Sequence, residues 1–361
     1  MTYRHQLKLT HAVRTAVGVR GGVNEDSAYG GNQLLAVADG MGGHAHGELA
    51  SATAIQIIAA LDTGRPLSAG GATARVATAG GATARVATVS AVQPPADRPP
   101  ESNAATCPPT PSSAVSSAVG SSVPDGTPPP PIPSSGDLWP APNQPSLPHA
   151  PKPGEGLTPV PADQPPTAPI PIGAPVINLA EAVAEIGARL TALVDQDEDR
   201  TGMGTTLTAF HWTGTGFAIA HVGDSRAYLL RDGRLRQLTH DHTLVQSLVD
   251  DGRITAEQAA EHPRRSVLMR ALQAGATPDP DLFTWPARAG DRYLLCSDGL
   301  TDYVPLAPIH DILRTTSSPA ETADRLIALA AQAGGHDNVT CLVVDVGRSM
   351  GFLGRLFRLN G

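Results

Sequence analysis

Twenty-seven of the 34 prolines in this 361-residue chain fall between Pro66 and Pro175. A stretch so dense in proline lacks the backbone N–H groups that helices and sheet interiors need. Its other residues are mostly Ala, Ser, Thr and Gly, as in PDGTPPPPIPSS and PAPNQPSLPHAPKP, and Trp139 is its one aromatic residue. So little apolar surface cannot offset chain entropy, and residues 66–175 are predicted to be a disordered insertion with polyproline II character. Within it AGGATARVAT at 69–78 recurs unchanged at 79–88. Two copies of that size are too few for a solenoid. Its PxxP-like runs could recruit a Pro-motif-binding partner.

The other 251 residues carry only seven prolines. Residues 1–65 and 176–347 are therefore read as one discontinuous folded domain, with a short basic tail at 348–361. The net charge of −8 gives no footprint for nucleic acid or an anionic membrane. Cys107, Cys296 and Cys341 make no C-x-x-C pair, which excludes a disulfide framework and a zinc ribbon. A cysteine-type phosphatase needs an arginine six places after its nucleophile, and Asp302 stands there after Cys296, so the thiols are expected to be buried and inert. MTYRHQLKLTHAVR has no apolar h-region, and no apolar run reaches the ~18 residues of a spanning helix. The expectation is a cytoplasmic protein with no transmembrane segment.

Short Val-, Ile- and Leu-rich runs predict strands at Leu34–Ala38, Thr206–His211, Gly216–Val222, Ala227–Leu230, Arg292–Cys296 and Val339–Val346. Helices are predicted at Gly47–Leu61, from Asn178 as cap with Leu179, Val183, Ile186, Leu190 and Leu193 inward, and from Ser318 to Gly334 with Glu321 closing a capping box. Several strands arrive as hairpin neighbours. The class is α+β, a central antiparallel β-sandwich flanked by helices.

Four carboxylates stand where a strand meets a turn: Asp39 after LLAVA, Asp224 after GFAIAHV, Asp298 after YLLCS, and Asp337 before VTCLVV. A strand end holds its side chain rigidly, and the turn lets it face a shared cleft. One Asp-Gly is usually an ordinary turn. Four carboxylates gathered together repel unless cations neutralise them, and an all-oxygen set suits Mg²⁺ or Mn²⁺.

VNEDS (23–27), LLAVADGMGGHAHGE (34–48), GMGTTLTA (202–209), HVGDSRAYLLRDG (221–233), LTHDHTLVQSLVDDGRIT (238–255), HPRRSVLMRAL (262–272), GDRYLLCSDGLTD (290–302) and GGHDNVT (334–340) resemble, in order, the motifs of metal-dependent serine/threonine protein phosphatases of the PPM (type 2C) family, in its bacterial form. The resemblance implies an α-β-β-α sandwich with two Mn²⁺ or Mg²⁺ ions in a cleft at one end. By matching position Asp39 would bridge both ions, Gly40 would lend its carbonyl oxygen, and Asp298 and Asp337 would complete one shell. Glu25 and Asp26 would act through metal-bound water, and Asp224 with Asp298 would hold a third, weaker ion. Residues from Thr243 to about Ala276 would form a flap beside the cleft.

The activity implied is hydrolysis of phosphoserine and phosphothreonine by attack of a water held between two metals, with an acid protonating the leaving alkoxide. His44 is the candidate acid, although as a bare residue it also reads as a solvated histidine beside a glycine turn. His46 is a weaker candidate. The phosphate-binding arginine of the family stands four residues before Glu25, where this chain has Gly21. Arg20 is one place off, which on a strand reverses a side chain's direction unless Gly21 and Gly22 allow a bulge. Arg14 is a remote substitute. The implied partners are phosphorylated proteins, with a bacterial serine/threonine kinase supplying them and itself a substrate. A phosphatase acting on an anti-sigma-factor antagonist is a rival within the fold. A catalytically silent scaffold that recruits partners through residues 66–175 is the rival of another class.

Overall fold

Strands buried on both faces read as continuous apolar runs, and their alternate side chains serve two different cores. The chain uses both properties. The computed structural model describes residues 7–19, 21–41, 46–64 and 178–348. The Pro-rich stretch, Arg20, His44, Cys107 and the C-terminal tail from 349 lie outside them.

In chain order the strands are β1 (Leu7–Ala16), β2 (Asp26–Gly30), β3 (Leu34–Met41), β4 (Gly204–Thr205), β5 (Leu207–Trp212), β6 (Gly216–Val222), β7 (Arg226–Arg231), β8 (Arg234–Gln237), β9 (Leu272–Gln273), β10 (Asp281–Pro286), β11 (Arg292–Cys296) and β12 (Val339–Arg348). The helices are α1 (Gly47–Thr63), α2 (Leu179–Gln196), α3 (Leu244–Asp250), α4 (Ala256–Ala260), α5 (Asp298–Thr301), α6 (Leu306–Thr315) and α7 (Pro319–Gln332). One sheet runs β1-β12-β11-β7-β8. The other runs β10-β6-β5-β3-β4-β9, with β2 beside β3. Every strand pair among the described residues is antiparallel.

Three cores separate four layers. Leu34, Ala36 and Ala38 of β3 meet α1 and α2, while Leu35 and Val37 face the opposite sheet. On β11, Tyr293 and Leu295 join that intersheet core, and Leu294 and Cys296 turn toward α6 and α7. Phe217 and Tyr293 meet across the sandwich centre with ring centroids 5.0 Å apart and an edge-to-face tilt. Each fully buried Leu or Phe here contributes roughly 2 kcal/mol over an exposed one. The α+β sandwich expected from the sequence is the fold observed.

Arg292 ties the outer helices to this framework. Its Nε and Nη2 donate to Asp345 at 2.6 and 2.8 Å, and its Nη1 donates to the carbonyls of Leu313 and Thr316 at 2.8 and 2.6 Å.

The expected strands and three expected helices are present, with small corrections. Leu193 is only partly buried, because the inner stripe of α2 ends at Leu190. Ser318 accepts the Glu321 N–H, but the Glu321 carboxylate receives the Ser317 hydroxyl and closes no box onto Ser318. Strands β1, β2, β4, β8, β9 and β10 were not foreseen. Lys8, His11 and Arg14 interrupt the apolar pattern of β1, an edge strand whose residues are half-buried or exposed.

Candidate metal centre

Turns at one end of the sandwich gather the acidic residues. Asp39 and Gly40 lie near the end of β3, and Asp26, which opens β2, is the register partner of Asp39. Asp298 opens α5 directly after β11, Asp337 stands two residues before β12, and Asp224 lies in the β6–β7 turn. Two glycines let backbones meet here. A Cβ on Gly40 would stand 2.1 Å from the Gly47 carbonyl oxygen, and one on Gly299 would stand 1.9 Å from that of Asn338. The Asp-Gly pairs are therefore points of backbone contact as well as turns.

Buried hydroxyls and an amide fix the acidic residues, mostly through their backbone. Thr206 Oγ1 accepts the Asp39 N–H at 3.0 Å, and Thr205 Oγ1 donates to the Asp39 carbonyl at 2.9 Å. Ser297 Oγ donates to Asp26 Oδ2 at 2.7 Å and accepts the Thr340 N–H at 3.0 Å. Asn338 Oδ1 accepts the Glu25 N–H at 2.8 Å, which joins the Glu25 segment to the Asp337 turn.

The electrostatics are those of a crowded, desolvated acid cluster. Burial first, and then the charges of Asp26, Asp298, Asp224 and Asp337, push Asp39 well above the usual carboxylate range. Asp298 is raised by burial and then by Asp224, Asp302, Asp337 and Asp26. Burial brings Asp26 up to about 6 against the Ser297 hydrogen bond, and Asp224 up to about 7 with help from Asp241. Glu25 is raised by burial, Glu48 and Asp337. Nearby arginines are engaged with other acids: Arg226 grips Asp241 at 2.6 Å, and Arg265 lies 3.4 Å from Asp302.

Asp26 Oδ1 and Asp298 Oδ1 are buried and have no hydrogen-bond partner. Orphaned acceptors among mutually repelling carboxylates are what a bound cation resolves. Among the described residues no three Asp, Glu, His or Cys side chains close into a ready cage. The case for a metal rests instead on donor chemistry, since carboxylates and a carbonyl suit Mg²⁺ or Mn²⁺, hard ions that keep several waters. The oxygen-only donor set fits the ions expected.

A cavity of about 330 Å³ adjoins the cluster. Its lining includes Asp224, Asp298 and Asp302 together with Thr243, Val249 and Arg265 from the segment carrying α3 and α4. Arg14 points elsewhere, ion-paired with Asp324 of α7. His46 caps α1 in the left-handed region (φ 61°), near Glu48. Gly21 and Gly22, which follow the Arg20 position, have φ of 69° and 118°, so the backbone departs from strand geometry there. Cys296 and Cys341 are fully buried, and burial pushes the Cys296 thiol up to about 12, as expected of inert thiols.

The profile of the protein phosphatase 2C family matches residues 178–339. A crystal structure of the serine/threonine phosphatase PstP/Ppp of Mycobacterium tuberculosis aligns with a TM-score of 0.61 at 35% identity, covering 94% of this chain and 99% of that one. The chain belongs to the protein phosphatase 2C family. The catalytic domain of PstP, crystallised in complex with two manganese ions, aligns with a TM-score of 0.60 at 34% identity over 94% of this chain and 99% of that one. Full-length PstP is 36% identical over 343 residues, 95% of this chain but 46% of PstP, so the chain spans about half of that relative. The serine/threonine phosphatase stp of Listeria welshimeri is 42% identical over 167 residues, 46% of this chain and 66% of stp.

Within this protein phosphatase 2C fold the acids expected from the motifs converge. The supporting groups Ser297, Thr206 and Asn338 were not singled out beforehand. Each is adjacent in sequence to an expected acid or placed opposite one across the sheet, and a lone Ser or Thr carries no signal of its own.

Proposed function

We propose that this chain is a metal-dependent protein phosphatase acting on phosphoserine and phosphothreonine. The observation that carries the reading is the buried cluster of Asp39, Asp298, Asp26 and Asp224, whose pKa values are raised by burial and mutual repulsion and which has two orphaned oxygens. Asp39, the Gly40 carbonyl, Asp298 and Asp337 would hold two Mn²⁺ or Mg²⁺ ions, and Asp224 with Asp298 a third, weaker one. When bound, the ions supply the Lewis acidity that makes water a nucleophile toward phosphorus and neutralises phosphoryl charge.

The chain's own residues position and shield. Thr205 and Thr206 hold the Asp39 backbone from both sides, so its carboxylate is presented from a fixed peptide. Ser297 orients Asp26 while leaving Oδ1 free to hold water. Glu25, tied to Asn338, is the second water-orienting acid. Arg20 is assigned to the substrate phosphate and His44 to protonation of the leaving alkoxide. The substrates are phosphorylated proteins, in the first place those of a bacterial serine/threonine kinase and the kinase itself. Every acidic position of the motif series is filled by an acid, which a silent scaffold would not require. The reading is supported by the chain's likeness to PstP, a serine/threonine phosphatase whose catalytic domain binds two manganese ions.

The full chain should hydrolyse p-nitrophenyl phosphate and phosphothreonine peptides when Mn²⁺ is supplied and stop when EDTA is added. Undiminished turnover in excess chelator overturns the proposal.

A further inference from the structure

Gly223, the residue before Asp224, is held by a single residue, His242, on the far side of its loop. The Gly223 N–H donates to His242 Nδ1 at 3.1 Å, and the His242 N–H donates back to the Gly223 carbonyl at 2.9 Å. The His242 side chain is 1% exposed, and its Nε2 meets Asp281 Oδ2 at 3.1 Å. Asp281 Oδ1 in turn accepts from Arg270 Nη1 at 2.9 Å.

These contacts fix the direction of the chain. A nitrogen that accepts an N–H carries no proton, so the ring proton sits on Nε2 and is donated to Asp281. Asp281 is the matching acceptor, held well below the usual carboxylate range chiefly by His242 and then by Arg270, against its partial burial. Charge and hydrogen bonds thus run from Arg270 through Asp281 and the imidazole to the peptide preceding Asp224. Arg270 belongs to the flap segment, whose Met269 N–H also donates to the His242 carbonyl at 2.7 Å. The opposite side of the loop is equally constrained. A Cβ on Gly223 (φ 107°) would stand 2.6 Å from Thr206, whose hydroxyl lies 2.8 Å from Ser225 Oγ. The loop therefore has one face on the Asp39 support and the other on His242. A phenyl ring would fill the same space, but it would give Gly223 no acceptor.

We propose that His242 is a positioning residue through which the flap, by way of Arg270 and Asp281, sets the Gly223–Asp224 loop and hence the affinity of the Asp224 side of the cleft for a divalent cation. The proposal rests on the reading of Asp224 as a ligand of the third, weaker ion. Outer partners of this kind typically change metal affinity by tenfold or more.

The test uses the full-length chain and Mn²⁺ titrations followed by calorimetry, together with amide and imidazole ¹⁵N spectra of the metal-free protein. Arg270→Gln and Asp281→Asn should each weaken the third Mn²⁺ site by about tenfold, keep the two tight sites, and shift the Gly223 and Asp224 amide signals before any metal is added. His242→Phe should do the same more strongly, and His242→Asn, which restores an acceptor for Gly223, should recover part of the loss. The wild-type imidazole should show the Nε2–H tautomer. Asp224→Ala separates the two readings. If it leaves the weak site intact, Asp224 is not that ligand and the reading beneath fails. If it removes the weak site while Arg270→Gln and Asp281→Asn lower only the melting temperature, with weak-site affinity and loop amide signals unchanged, His242 is structural packing and the proposal is overturned.

Discussion

Ser297 donates its hydroxyl proton to Asp26 at 2.7 Å while accepting the Thr340 N–H, so one buried hydroxyl serves both an acid and the start of β12. Ser297→Ala removes the Ser297 donor from the Asp26 carboxylate and leaves the Thr340 N–H without its acceptor. Leaving buried groups unsatisfied costs about 1–3 kcal/mol. Urea denaturation of the metal-free protein should show that loss, and an unchanged midpoint would remove the assigned role.

The acid cluster predicts opposite effects of Asp39→Asn with and without metal. In EDTA the amide relieves repulsion from Asp26 and Asp298, and the variant should melt at or above the wild type. With Mn²⁺ at ~100 times its dissociation constant the wild type should gain about 2.7 kcal/mol, and the variant little. Its kcat should fall by at least ~10³, about 4 kcal/mol of barrier. Equal Mn²⁺-induced melting shifts in the two proteins would contradict the assignment of Asp39.

His221 predicts a pH dependence. Burial, and then the neighbouring His242, lower its pKa to about 4, against about 6.5 in an unfolded chain. Between those values the unfolded chain binds a proton that the native state refuses. The stability at stake is therefore complete above about pH 6.5 and is lost as pH falls toward 4. Relative to His221→Asn, the wild type should lose about 2 kcal/mol between about pH 7.5 and about pH 5 in chelator. A difference between the two proteins that does not move with pH would count against it.

Arg292 offers a test of the outer layer. Its guanidinium serves Asp345, two carbonyls and the Thr322 hydroxyl in one largely buried cluster. Arg292→Ala strands Asp345 and both carbonyls, and breaking such a pair costs about 3–5 kcal/mol. Arg292→Lys should recover only a minor part, since one ammonium cannot reach both groups. Full stability of the lysine variant by urea denaturation would show that the forked geometry is irrelevant.

How much of this was legible beforehand follows from what a sequence can encode. Runs such as LLAVA and VTCLVV are buried on both faces, and their apolar content announced β3 and β12. The acids at their ends were legible because an Asp beside a Gly or Asn at a strand end is a local pattern. Strand β1 was hidden, since Lys8, His11 and Arg14 read as surface until β12 is known to lie beside it. The support from Ser297, Thr206 and His242 was hidden for a different reason. Each acts on a partner that only the fold brings near, and Ser297 and Asp26 are 271 positions apart.

The pairing of β1 with β12, from Leu7 against Arg348 to Ala16 against Val339, has a consequence for synthesis. A ribosome delivers residues in order, so β1 waits beside no partner while more than 300 further residues are made. Asp39 waits nearly as long for Asp337. Translation halted anywhere before Asp337 thus releases a polypeptide with neither the edge of its first sheet nor a finished acid cluster. Such a fragment exposes unpaired strand backbone and is a substrate for proteases and chaperones. The first sheet and the acid cluster would then be completed together, once synthesis has passed β12.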